Sequence, residues 1–283
     1  TKAEDDGLYY AVRSLFAWYR TTADPRALEF VEPMITAVEY HIQDRWDEER
    51  RLFGSDTLGE TTLASSDFYG YDAVNGTLVQ GGQDKGDREK KMTYAYSLYH
   101  NVNNYNVLRM MEVLLEACPG EHSEVAERFR SVADRVAESV AEQFIEERGV
   151  YYSLLALYDD GSEEWHTFEE GDYWEHAWTV SAPPFMPDVE TSLKTARLIK
   201  RRWPEVTNYG YCPWNTISGM LFEFGMSSGE FRSMHGDQIA DALATTEKYP
   251  MAGGLTEYNS PRESWRCLPF SAGTFINAVA GQI

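Results

Sequence analysis

The chain of 283 residues is long enough for one large domain or two small ones, and 43% hydrophobic with 25% charged residues suits a sizeable core. Its 25 Lys and Arg stand against 46 Asp and Glu, a net charge of −21 that repels polyanions, so neither nucleic acid nor an anionic membrane surface is expected as a partner. No run of about 18 apolar residues offers a membrane span, and Thr1-Lys2-Ala3-Glu4-Asp5-Asp6 carries no apolar leader.

Residues 8 to 21 place apolar groups at helical spacing, with Tyr9, Val12, Leu15 and Tyr19 among them, and predict a first helix. Thr22-Ala23-Asp24-Pro25 ends it, with Asp24 as cap and Pro25 as first residue of a second helix running to about Trp46. Residues 47 to 90, rich in Gly, Ser, Thr and Asp, read as one long loop of the kind that carries function. Helical pattern resumes from about Met92 to Ala117 and, past the Pro119-Gly120 turn, from about Ser123 to Glu147. Gly149 to Leu154 reads as a short strand or an extended run, and residues 158 to 173 as irregular. Further helices are expected at 174–182, 188–203, 213–225, 230–247 and 271–281.

Strand signals are sparse, so a single all-α domain over residues 1–283 is expected, built from helical hairpins as a solenoid or a toroid. No fixed repeat period marks a solenoid. The two long loops favour a toroid, whose loops gather at one mouth to build a site.

Four loop carboxylates carry the candidate chemistry: Glu60, Asp67, Asp72 and Glu257. Glu257 lies between the Gly253-Gly254 pair and Tyr258, an acid on a bent, close-approach loop. Asp72 follows Phe68, Tyr69 and Tyr71, with glycines at 70 and 76. A carboxyl group against aromatic walls tends to stay protonated, which suits a general acid; the plainer reading is a solvated aspartate capping a turn. Inverting cleavage of a glycosidic bond needs such an acid and a base across the sugar, roughly 6.5–9.5 Å apart.

Aromatics make up 14% of the chain, with 18 Tyr and 8 Trp, an excess that suits either sugar stacking or a core of large side chains. Trp174, Trp178, Trp214 and Trp265 fall near expected loop-to-helix junctions, where a ring can face a cavity, whereas Trp18 and Trp46 read as packing. His166, Asp172, Glu175 and His176 form a loose cluster without a ligand spacing, so no metal is expected. Gly81-Gly82 lacks the Lys-Ser/Thr of a phosphate loop, and no Gly-x-Ser-x-Gly elbow occurs. Cys118, Cys212 and Cys267 are far apart and read as free thiols. No cofactor is expected.

Four stretches in order resemble the six-hairpin (α/α)6 glycosidases that include trehalase and the processing α-glucosidase. Gly70-Tyr71-Asp72 is similar to the stretch holding that family's general acid. Tyr211-Cys212-Pro213-Trp214-Asn215 resembles its Gly-Pro-x-Trp pocket segment. Glu247-Lys248-Tyr249, followed by Gly253-Gly254-Leu255-Thr256-Glu257-Tyr258, resembles the stretch holding the general base. Phe270-Ser271-Ala272-Gly273 resembles the closing helix. The resemblance implies an inverting glycoside hydrolase removing a terminal, α-linked sugar. Asp72 would be the acid and Glu257 the base, with Phe68, Tyr69, Trp174, Trp178, Trp214, Asn215, Tyr258 and Trp265 around the sugar.

Two departures keep alternatives open. The Ser-Pro or Ser-Arg that follows the family's acid is absent after Asp72, so Glu60 and Asp67 remain rival acids. Leu255 and Thr256 separate the glycines from Glu257. A closed toroid needs twelve helices and the pattern gives about eight or nine. The toroid is therefore expected to be incomplete at its N-terminal side, or completed by a second copy or another chain. The alternative function is a non-catalytic carbohydrate-binding or scaffold protein.

Overall fold

The computed structural model describes residues 7–55, 69–72, 77–80 and 92–167, together with residues 190, 191, 194, 195 and 198. The chain divides into two compact units, Thr1–Glu175 and His176–Ile283. In the second unit, Glu190, Thr191, Lys194, Thr195 and Leu198 are helical, inside the helix expected at 188–203. Thr191 and Thr195 are buried while Glu190 and Lys194 are exposed, the alternation of an amphipathic helix. The other helices expected beyond residue 173 lie outside the described residues.

The first unit opens with α1, Gly7–Thr22, whose Tyr9, Val12 and Leu15 form one buried stripe. Ala23 takes a left-handed φ of 51° and its N–H closes on the Tyr19 carbonyl at 2.8 Å, which ends the helix. Asp24 then caps as expected, accepting from the Arg26 N–H at 3.0 Å with Pro25 as first residue. The helix it caps differs from expectation. Pro25–Phe30 is a 3-10 helix, and α2 spans only Val31–Arg45. Pro33 explains the break, because it brings no N–H for the Glu29 carbonyl and its ring would crowd that group.

Residues 46–55 correct the single-loop expectation. Strands β1, Trp46–Asp47, and β2, Leu52–Phe53, pair antiparallel around a tight turn. Asp47 Oδ1 holds that turn by accepting from the N–H groups of Glu49 and Arg50, both at 2.9 Å. Within the same expected loop, β3, Tyr69–Asp72, and β4, Thr77–Gln80, form a second hairpin.

The helix expected from Met92 begins six residues later. Met92–Ser97 is strand β5, and α3 spans Leu98–Ala117. Thr93, Tyr94 and Tyr96 are β-branched or aromatic residues, of the types that favour a pleated surface. Ser97 is the true N-cap, its Oγ accepting from the His100 N–H at 3.1 Å. After the turn at Gly120, where φ is 138°, α4 runs from Ser123 to Gln143. Gly149 is a turn residue with φ of 68° rather than the start of a strand. Tyr151 bridges back to Ile145, and β6 is Leu154–Tyr158. The irregular region expected from 158 contains β7, Glu163–His166, joined to β6 through Gly161 at φ 79°. Strands β5, β6 and β7 form one antiparallel sheet in that order.

The described part is thus helix-rich, as expected, but not all-α among the described residues: three small antiparallel sheets accompany the helices. Helix α3 is the core element, contacting α1, α2 and α4 and burying fourteen of its residues, from Leu98 to Leu115. Helix α4 buries one face, Ala126, Phe129, Val132, Ala133, Val136, Ser139 and Val140. Its outer edge is tied to α3 by Arg130 on Glu112 at 2.6 Å and by Asp134 on Arg109.

Candidate functional site

One group of polar residues of the first unit lies where α2 ends and α3 begins. His41 and Arg45 from the last turns of α2, Phe53, Gly54 and Ser55 after β1, and His100 and Asn104 from the first turns of α3 line one small pocket. Arg45 pairs with Asp44 at 2.8 Å and donates to Ser55 Oγ at 3.2 Å. The His41 ring stacks on Phe53 with centroids 5.5 Å apart. Gly54 lets the chain pass beneath Tyr94, since a methyl group built there would lie 2.1 Å from the ring's Cε1. Gly54→Ala is therefore expected to displace Tyr94 and cost about 1–3 kcal/mol, read as a lower thermal midpoint.

The chain from Phe53 to Ser55 is sewn to this end by two devices. Ser55 exchanges backbone hydrogen bonds with Ala95, at 2.8 and 3.0 Å, and so joins the edge of β5. Two residues earlier the partner is a side chain. Asn101 accepts from the Phe53 N–H at 2.8 Å and donates to the Phe53 carbonyl at 3.1 Å. Its amide mimics the next rung of a strand ladder. The chain leaving α4 comes to the same end, where the Leu98 N–H donates to the Ser153 carbonyl at 2.9 Å and Ser153 N–H to that of His166 at 2.9 Å.

Beside the pocket, the Tyr96 hydroxyl donates to Asp47 Oδ2 at 2.5 Å, and Arg50 covers the Tyr96 ring at 5.3 Å. Burial pushes the Asp47 carboxyl up, but the Tyr96 hydroxyl, the N–H groups of Arg50 and Glu49 and the Arg50 charge outweigh it and hold it below its ordinary value of 3.8. Burial, and then the bond to Asp47, drives the Tyr96 hydroxyl up. A depressed carboxyl contributes stability that is present above its unfolded value and lost as pH falls through its folded one. The thermal midpoint of Asp47→Asn is accordingly expected to lie below wild type near neutrality, with the gap closing on acidification through the carboxylate range.

Most of the residues singled out from sequence fall elsewhere. Glu60, Asp67, Phe68, Trp174, Trp178, Trp214, Asn215, Glu257, Tyr258 and Trp265 lie outside the described residues. Only the backbone of Tyr69 and Asp72 is described. They begin and end β3, with Tyr69 opposite Gln80 and Asp72 opposite Thr77, so Asp72 closes its strand beside the connection at 73–76. Of the four residues weighed as metal ligands, His166 alone is described. It is buried, with Nε2 at 3.3 Å from the Tyr158 hydroxyl. Among the described residues no three His, Cys, Asp or Glu side chains converge as metal ligands.

Comparison with family models, curated proteins and solved structures finds no match. What the chain does has to be read from its own residues.

His41, Arg45, His100 and the asparagines of α3 were not among the residues expected from sequence. A signal was there. Leu98 to Asn106 contains His100, Asn101, Asn103, Asn104 and Asn106, and asparagine is a poor helix former. A helix that keeps so many inside its buried length keeps them for bonds. Asn101 shows its bonds on Phe53 and Asn106 donates to the Val102 carbonyl, whereas the Asn103 side chain makes none among the described residues.

Proposed function

We propose that this chain is an inverting glycoside hydrolase built on a six-hairpin (α/α)6 toroid. The observation that carries the reading is the order of the four stretches: Gly70-Tyr71-Asp72, Tyr211-Cys212-Pro213-Trp214-Asn215, Glu247-Lys248-Tyr249 with Gly253 to Tyr258, and Phe270 to Gly273. The geometry of the first unit supports it. The segment between α2 and α3, which includes Asp72, departs from and returns to one end of the helices, and the chain after α4 comes to that end as well. Loops that share an end can build one mouth.

In this reading Asp72 protonates the glycosidic oxygen as the bond to the anomeric carbon breaks. Glu257 takes a proton from a water on the opposite face, and the water oxygen bonds to that carbon, inverting it. The proton leaving with the alcohol comes from Asp72, and the one taken from water stays on Glu257. Tyr69, Trp174, Trp214 and Trp265 stack against the sugar, as aromatic rings do on C–H faces. The substrate is a terminal, α-linked sugar of an oligosaccharide or glycoside.

The test is a panel of aryl and natural α- and β-glycosides, with the first-formed anomer followed by NMR. The expected result is hydrolysis of an α-glycoside with inversion, and a fall in kcat of about 10²–10⁴ in Glu257→Gln. Sugar binding without turnover would instead make the chain a carbohydrate-binding protein. A panel that is neither bound nor cleaved sinks the reading.

A further inference from the structure

The chain leaves the helical framework after Ser55 and rejoins it in β5, and Glu60, Asp67 and Asp72 all lie on the segment between. The two ends of that segment are antiparallel neighbours. Ser55 pairs with Ala95, and the Gly54 backbone passes beneath the ring of Tyr94. In an antiparallel ladder the bonded pair recurs every second residue, so the next pair would join Phe53 to Ser97. Ser97 already turns into α3 as its N-cap, and Asn101, one turn on, makes that rung instead. Its Oδ1 accepts from the Phe53 N–H at 2.8 Å. Its Nδ2 has two hydrogens to give, and it donates to the Phe53 carbonyl at 3.1 Å and to the Ser97 carbonyl at 2.8 Å. One fully buried amide is therefore a clasp, holding the outgoing chain by both backbone groups and the incoming chain by a third bond. Among the described residues, β3 and β4 pack mainly on each other, so the hold of the framework on this segment is at its ends.

We propose that Asn101 is a positioning residue for the acid of the hydrolase proposed above, a reading on which this inference rests. The acid lies on the clasped segment whichever of Glu60, Asp67 and Asp72 it is. A proton donor must stand within hydrogen-bond reach of the glycosidic oxygen, and a misplacement of about 1 Å costs about 10²-fold in rate. A long segment keeps that tolerance only with its ends fixed, since every freed residue regains backbone conformations. Asn101 fixes both ends at once. It acts through the segment and makes no contact with the sugar.

The experiment compares wild type with Asn101→Asp, which keeps the acceptor for the Phe53 N–H and removes both donors. The control is Val136→Ala, which opens a void in the buried face of α4. Each protein is studied at the same interval below its own thermal midpoint, so that a general loss of stability cancels. Two rates are read. Tryptic cleavage at Lys85, Arg88, Lys90 and Lys91 follows opening of the segment, and kcat with KM on the preferred glycoside follows the chemistry. Asn101→Asp is expected to be cut at least about tenfold faster than Val136→Ala, and to lose at least about tenfold in kcat with KM within about twofold. Val136→Ala should keep the wild-type kcat. Cleavage no faster than in Val136→Ala overturns the clasp and leaves the hydrolase standing. Faster cleavage with unchanged kcat overturns the positioning role. Wild type that cleaves no glycoside overturns the hydrolase and the positioning role with it, while the tryptic rates still show whether the amide holds the segment. If aspartate prevents folding, Asn101→Ser is read by the same two rates.

Discussion

Asn101→Leu is expected to destabilise the first unit by about 3–5 kcal/mol, read as a lower urea midpoint with the slope unchanged. Asn101 is fully buried and spends its whole side chain on bonds. Oδ1 takes the Phe53 N–H at 2.8 Å, and Nδ2 reaches the Phe53 carbonyl at 3.1 Å and the Ser97 carbonyl at 2.8 Å. Leucine keeps the volume and removes all three bonds, leaving the Phe53 N–H and carbonyl short of a partner, while the Ser97 carbonyl, at the N-cap, keeps the first intrahelical bond. Each orphan costs about 1–3 kcal/mol, a large share of the roughly 5–15 kcal/mol that holds a domain together. Asn103→Leu, two residues along the same helix, is the internal control. The residue type and burial match, yet the expected sign is zero or stabilising because Asn103 makes no bond to lose. A destabilisation equal in both variants would mean that leucine fits neither position, and that the bonds of Asn101 do not explain its effect.

This contrast bears on what a sequence can disclose. Helices α1 and α4 were legible because their buried residues repeat at helical spacing on one face, as Ala126, Phe129, Ala133, Val136 and Val140 do in α4. The cap at Asp24 was legible because capping is local chemistry. Strand β5 was not. Met92 to Tyr96 is a short apolar and aromatic run, and such a run reads equally as a helical turn or a strand until its partner is known. Its partners are Leu154 to Tyr158, some sixty residues on, and no local pattern announces a pairing at that distance. The 3-10 segment was missed for a local reason, the Pro33 ring, that the apolar periodicity obscured.

The site follows the same division. The motif order at Asp72, Trp214 and Glu257, on which the proposed function rests, is a property of the string alone. The asparagines of α3 hide in a helix, where polar residues are usually assumed to face water. Only the burial of all sides of α3 turns them from surface residues into groups that must find partners.

The second large effect follows from the proposed function: if Asp72 is its acid and Glu257 its base, the leaving group separates the two roles. Asp72→Asn is expected to lower kcat by about 10²–10⁴ on a glycoside whose leaving group is an ordinary alcohol. An alkoxide is a poor leaving group and must be protonated as it departs. An acidic phenol departs as its anion without that help, so an activated aryl glycoside should recover most of the lost rate in Asp72→Asn. Glu257→Gln should recover nothing, because deprotonating the attacking water is needed whatever leaves. The pH profile follows the same logic: the alkaline limb of kcat/KM reports the acid and disappears in the acid variant, while the acidic limb reports the base. Glu60→Gln and Asp67→Asn enter the same assay as rivals, and the acid is whichever variant shows the leaving-group rescue. If none of the three does, no carboxylate between Glu60 and Asp72 protonates the sugar oxygen, and the two-carboxylate mechanism loses its acid.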